Sequence, residues 1–200
     1  MKKKRKLYAA ALGMSLLTAC SIPKTGAPEW FENAVETSDC QLLYMADQLK
    51  DVPDTVCFPR STKPDGSYRL ENAKDWTSGF FPGTLWYTYE LTGDNALKTQ
   101  AVKYTNMLNP VRYYTGTHDL GFMINCSYGN AKRLSPNDTI SAVMVETAEN
   151  LCSRFNEPIG AIRSWDFGTW NFPVIIDNMM NLDLLFTASK MTGNPKYKDI

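Results

Sequence analysis

Histidine is almost missing from this sequence: His118 is the only one in 200 residues. One imidazole cannot complete a zinc set with the cysteines present, none of which stands in a CxxC pair. No GxxxxGK[ST] loop occurs, nor a GxGxxG after a strand, so nucleotide chemistry has no motif to rest on. Neither sign of charge is in excess, with 21 basic and 21 acidic residues. Five of the basic residues form the run KKKRK at positions 2–6, so the remainder carries 16 basic against 21 acidic residues, a net charge of −5. No basic cluster is left there to meet nucleic acid, and an anionic ligand would have to be met by a local site. Long apolar runs are lacking too. The longest, Leu7 to Ala19, is too short to span a bilayer as a helix.

That short run has another use. A basic stretch followed by LYAAALGMSLLTA is the charged and apolar part of a secretory signal. It ends in Leu17-Thr18-Ala19-Cys20, which resembles a bacterial lipoprotein box, with Cys20 as the lipidated residue after cleavage. The expectation is a signal peptide over 1–19, a tether over 20–28 (SIPKTGAP follows Cys20) and a folded part over 29–200. Ser21-Ile22-Pro23-Lys24 holds no acidic cluster, which favours an exported lipoprotein anchored on the periplasmic side. Membrane contact would be through that lipid alone. Cys40, Cys57, Cys126 and Cys152 allow three disulfide pairings, and buried free thiols are the expected state.

Helical periodicity dominates the rest. Phe31, Ala34, Val35, Leu42, Met45 and Leu49 predict an amphipathic helix from about Trp30 to Leu49. Lys50 to Lys74, rich in proline, reads as loop. Pro82 opens a second helix carrying Leu85, Trp86, Tyr89 and Leu91. Thr92-Gly93-Asp94 closes it and caps a third, with Leu97, Ala101, Tyr104 and Leu108 on one face. Further helices follow Asp119 and Ser135-Pro136, and one runs from near Asp177 to Met191-Thr192-Gly193-Asn194, with another starting at Pro195. No alternating strand pattern stands out, so the chain reads as all-α.

The sequence also repeats itself. A shift of 42 takes Gly79-Phe80 onto Gly121-Phe122, and Trp86 onto Tyr128. A shift of 100 takes Leu91-Thr92-Gly93-Asp94 onto Met191-Thr192-Gly193-Asn194. Each unit is a helix hairpin with a Thr-Gly turn, and repeated hairpins build either a solenoid or a closed α/α ring. About three hairpins are present, which suggests the N-terminal half of such a ring.

Three loop-to-helix junctions hold the chemistry: Asp75-Trp76-Thr77-Ser78-Gly79-Phe80-Phe81-Pro82-Gly83, Thr117-His118-Asp119-Leu120-Gly121-Phe122, and the stretch Ser164 to Phe186 containing Asp177. Asp177 lies between Val174-Ile175-Ile176 and Met179-Met180, where desolvation would raise a carboxyl pKa and let it carry a proton. Its position at a helix start works in the opposite direction and suits a capping role. Asp75 and Asp166 read as turn or helix caps, and Trp86 as core.

These motifs, in this order, resemble the unsaturated glucuronyl hydrolases of glycoside hydrolase family 88, from about Trp30 to Ile200. The resemblance implies a six-hairpin α/α barrel with a pocket at one end. It implies removal of a 4,5-unsaturated uronic acid from the non-reducing end of lyase-generated oligosaccharides, with neither metal nor organic cofactor. Asp177 matches the general acid/base and Asp119 the second essential carboxylate. His118 and Trp76 match pocket-lining residues, and Trp165 or Trp170 would stack on the leaving sugar. Groups gripping the uronate carboxylate would come from later hairpins, so residues 1–200 alone are expected to be inactive. Two rival readings stay open: an unsaturated rhamnogalacturonyl hydrolase, and a non-catalytic glycan-binding lipoprotein.

Overall fold

The computed structural model describes residues 26–200. The expected signal peptide, the lipidated Cys20 and most of the tether lie outside the described residues. Among the described residues, no helix is long and apolar enough to cross a membrane.

The helices arrive as hairpins. Helix α1 spans Glu29–Gln48, and α2 (Phe80–Thr92) and α3 (Asn95–Met107) pack against each other. Then come α4 (Leu120–Ile124), a π-helical turn at Asn125–Gly129 and α5 (Asn130–Leu134), followed by α6 (Asp138–Cys152). Last are α7 (Asn178–Asn181), α8 (Asp183–Thr192) and α9 (Lys196–Asp199). Trp86, Leu97, Tyr104, Leu120, Met123, Met144, Leu151 and Leu184 are fully buried between them. The Trp86 indole N–H is satisfied at 2.9 Å by the Thr105 hydroxyl, which makes this tryptophan core.

The predicted repeat is visible in atomic detail. Gly93 and Gly193 both end a helix in the left-handed region, at φ 72° and 71°, where a side chain would be strained. Thr92 Oγ1 donates to Thr88 O and accepts the Asp94 N–H, and Thr192 repeats both bonds with Ala188 and Asn194. Asp94 then caps α3 by accepting the Ala96 N–H at 2.7 Å, and Asn194 accepts that of Lys196 at 3.0 Å. The shift-of-42 pair is equally physical. A Cβ on Gly79 would lie 2.1 Å from the Phe122 carbonyl oxygen, and one on Gly121 2.5 Å from the Asn181 Cα. Each glycine therefore lets the next inner helix touch its backbone.

Four expectations are corrected. The fold is mainly helical, as the all-α reading expects, but the stretch read as loop holds an antiparallel hairpin of β1 (Phe58–Thr62) and β2 (Tyr68–Glu71), and β3 (Phe155–Asn156) pairs with β4 (Ala161–Ile162). A register shift between Pro59 and Ser61 erases the two-residue alternation by which β1 could have been read. Pro64-Asp65-Gly66 is its turn, with Gly66 at φ 84°. The second helix starts at Phe80, and Pro82 sits inside its first turn, where a missing N–H costs nothing. The helix expected to run unbroken from Asp177 is divided at Leu182 into α7 and α8. Cys40 is exposed, whereas Cys57 and Cys152 are buried and all four described cysteines are free thiols.

Candidate active site

His118 follows a short bridge that pairs Thr117 with Trp165, and Asp119 sits at the start of α4. Asp177 holds the corresponding place before α7. The close approach at Gly121 sets the first turn of α4 against Asn181 at the end of α7, one turn after Asp177, and the Phe122 N–H donates to Asn181 Oδ1 at 2.8 Å across the contact. Carboxylates 58 positions apart thereby meet on one imidazole. His118 Nε2 lies 3.2 Å from Asp177 Oδ1 and 3.3 Å from Asp119 Oδ1.

The ring's orientation is fixed from behind. Ser164 O accepts both the His118 backbone N–H and Nδ1, each at 2.8 Å. Ser164 is itself held: its hydroxyl oxygen accepts the Ile175 N–H at 3.1 Å, and its N–H donates to Pro173 O at 2.8 Å. Asn178 Nδ2 donates to Ile162 O at 2.8 Å beside it. A carbonyl oxygen can only accept, so Nδ1 must carry hydrogen. In a neutral ring, Nε2 is then a bare acceptor facing two carboxylate oxygens. Nothing donates to Nε2 or to Asp177 Oδ1 among the described residues. Acceptors pressed together in a buried place repel, so this contact has room for a positive charge between the ring and the carboxyl groups.

Asp119 is the carboxyl whose affinity for a proton is visibly raised. Burial pushes it up, the Thr117 hydroxyl bond and any positive charge on His118 pull it down, and Asp177 and Asp75 push it up again. Thr117 Oγ1 donates to Asp119 Oδ2 at 2.6 Å and accepts the Asp119 N–H at 3.2 Å. Asp177 departs from expectation. Its apolar neighbours are exposed, Ile176 at 87% and Met179 at 65%. Its carboxylate makes no capping bond either, and turns instead to His118.

Trp165 lies against the His118 ring at 6.2 Å, while Trp170 reaches the cluster only through Trp165, edge-on at 6.4 Å. Trp76 sits on a separate wall with Phe80 and Phe122, at 5.8 and 6.1 Å, one helical turn from Asp119. Asp75 is a turn cap, accepting from Thr77, and also binds Arg60 at 2.7 Å. Asp166 is not a cap: Arg154 holds it by two bonds of 3.1 Å. Sequence reasoning passed over Thr117, Ser164 and Arg154. For Thr117 the Thr-x-Asp spacing was a usable signal, but Ser164 acts through its main chain, which no side-chain pattern reveals. His118, Asp119 and Asp177 also offer ligand atoms within 4.8 Å of one another, a spacing that a small cation could bridge as well as a proton.

The same build occurs in known proteins. A protein of Formosa agariphila named unsaturated glucuronyl hydrolase is 45% identical over 148 residues, covering 72% of this chain and 37% of its own length. An unsaturated chondroitin disaccharide hydrolase of Streptococcus agalactiae is 30% identical over 175 residues, covering 84% of this chain and 42% of that protein. A crystal structure of an unsaturated glucuronyl hydrolase specific for heparin superposes with a TM-score of 0.79 at 44% identity, over 86% of this chain and 46% of that one. This chain belongs to the unsaturated glucuronyl hydrolase family. No protein-family model matches it. The chain spans less than half the length of these relatives, and its hairpins follow the α/α barrel of the family over that part.

Proposed function

We propose that this chain carries the acid chemistry of a glycoside hydrolase that removes a 4,5-unsaturated uronic acid from the non-reducing end of lyase-generated oligosaccharides, of glycosaminoglycan type. The observation that carries this reading is the His118 Nε2 atom set between Asp177 and Asp119, a contact in which a proton can be held. Asp177, the more open of the two carboxyls, delivers that proton to C4 of the C4=C5 vinyl ether, and positive charge develops at C5. Asp119, kept in place by Thr117, holds sugar hydroxyls and offsets that charge. Water attacks C5 and returns its proton to Asp177, so the group acts as acid and then as base. The hemiketal formed at C5 opens and releases the remaining sugar. One bond to hydrogen and one to oxygen form, the alkene is consumed, and the proton count closes.

Trp76 would line the pocket on the Phe122 side, and Trp165 or Trp170 the side of the leaving sugar. The relatives' names favour the glucuronyl over the rhamnogalacturonyl substrate. The chain is also read as an exported lipoprotein held on the periplasmic side through Cys20. Loss of fatty-acid labelling on C20A would support that placement, and unchanged labelling would end it. The decisive test of the chemistry is D177N in the full-length gene product, followed by loss of the double-bond absorbance of unsaturated disaccharides. Turnover should fall by more than about 10³-fold, the scale expected when a general acid is lost, with the circular dichroism spectrum unchanged. Retained turnover would refute the mechanism. Binding of oligosaccharide without any turnover by the parent protein would favour a non-catalytic glycan-binding lipoprotein.

A further inference from the structure

Arg154 is a buried cation that the chemistry above does not use. It follows the last residue of α6 by two positions, and its side chain is shut away from solvent. A guanidinium in such a place is costly unless its donors are taken up. Nε donates to Arg163 O at 2.8 Å. Nη1 donates to Thr115 O and, at 3.1 Å, to Asp166 Oδ2, while Nη2 donates to Asp166 Oδ1 at 3.1 Å. The Arg154 main chain adds to the grip, its carbonyl accepting the Arg163 N–H at 2.9 Å, one step beyond the β3–β4 pairs. Arg163 in turn brings its own Nε to 3.1 Å from Trp165 O and 3.3 Å from Asp166 Oδ1.

The groups held in this way are not scattered. Thr115 lies two residues before Thr117, Arg163 one before Ser164, and Asp166 one after Trp165. Thr117 and Trp165 are the bridge pair beside His118, and Ser164 O is the carbonyl that meets Nδ1. Arg163 O faces the guanidinium, while the next carbonyl, Ser164 O, faces the imidazole. One side chain thus clamps both walls of the cradle in which the ring lies, and none of these bonds goes to His118, Asp119 or Asp177.

We infer that Arg154, with Asp166 as its counter-ion, is a positioning residue for the proton-handling cluster: it aims Ser164 O at His118 Nδ1 and so keeps Nε2 turned bare toward the two carboxylates. The catalytic consequence rests on the hydrolase reading above, whereas the placing of the ring does not. A planar fork can hold Thr115, Arg163 and Asp166 at once, which the single ammonium of a lysine cannot do. With the clamp loosened, the ring is free to carry its hydrogen on Nε2. It would then donate to a carboxylate, favour the anion, and weaken the hold on the proton to be delivered.

The experiment uses the full-length gene product. Long-range proton–nitrogen NMR spectra at alkaline pH read the His118 tautomer, its signal assigned by loss in H118N. The parent should carry hydrogen on Nδ1, and R154K should show a mixture of the two forms. The kcat of R154K on an unsaturated disaccharide should fall roughly 10- to 100-fold, the scale of a small misplacement at a reacting centre. KM should stay as it is, because Arg154 touches no substrate. A merely structural role would lower the urea midpoint and leave the tautomer and the kcat of the folded enzyme unmoved. If R154K does not fold, D166A takes its place, since that side chain is half-exposed, and should show the same changes at smaller size. Hydrogen on Nε2 in the parent overturns the assignment, as does an unchanged tautomer, an unchanged kcat or a loss confined to KM in the folded variant. Absence of turnover by the parent protein would remove the hydrolase reading, and the tautomer alone would then decide whether Arg154 sets the ring.

Discussion

Replacing Gly121 by alanine should separate the two carboxylates without touching either. An ideal Cβ at this position lies 2.5 Å from the Asn181 Cα, 2.6 Å from its carbonyl oxygen and 2.8 Å from Oδ1. Two of these three are main-chain atoms, so no side-chain rotation relieves them. Reaching ordinary van der Waals contact near 3.4 Å requires α4 and α7 to part by about 0.9 Å at Asn181, one helical turn from Asp177. Overpacking of a tight contact costs about 1–3 kcal/mol, and rigid partners place this case at the upper end. Stretching the 2.8 Å bond from Phe122 N–H to Asn181 Oδ1 adds about 1 kcal/mol. The expected destabilisation is therefore about 3–4 kcal/mol. A displacement of that size at a reacting centre can also cost about 10²-fold in rate. Urea unfolding gives the first quantity, and turnover of an unsaturated disaccharide in the full-length gene product gives the second. G193A is the control, because open space surrounds that glycine and only its φ of 71° opposes the change, at about 1–2 kcal/mol. If G121A is no less stable than G193A and keeps parent activity, the backbone contact does not set the carboxylate spacing.

Other outcomes follow from the same geometry. T117V removes the hydroxyl that stabilises the Asp119 anion, so burial acts with less opposition and the carboxyl moves further up. The acidic limb of the kcat profile should shift to higher pH, with T117S restoring it. An unshifted limb would show that Thr117 does not govern Asp119. A carboxyl raised on folding favours the folded state below its unfolded value and loses that advantage as pH rises through the folded one. T117V should thus match the parent in stability at pH 3 and fall behind at pH 7, as read by urea midpoints. Because the His118 contact is read as holding a proton, prolonged dialysis against a chelator should leave turnover unchanged. Loss of turnover that a divalent ion restores would show a cation in that place instead.

Much of the helical scaffold was legible because its signals are local. The Thr-Gly turns at residues 92–93 and 192–193 announce a left-handed helix end, and their bonds repeat almost atom for atom. His118, Asp119 and Asp177 stood out through motif and order, and the chain brings them into one contact. Val174, Ile175, Ile176, Met179 and Met180 looked like a desolvating sleeve, yet all five are exposed. A run of apolar residues fixes no direction for its side chains when the helix after it is a single turn. The β1–β2 hairpin was hidden by its register shift, and the Ser164 carbonyl because main-chain acceptors are identical at every residue. Trp165 and Trp170 could not be ranked from sequence, since their difference lies in what covers each ring.

Gly79 and Gly121 put main chain against main chain at the same end of successive inner helices. The gauge between the two acids is thus cut into the scaffold itself and cannot be retuned by exchanging one side chain for another. A change at either glycine moves both acids together, whereas a change in the loops around them leaves their spacing as it is.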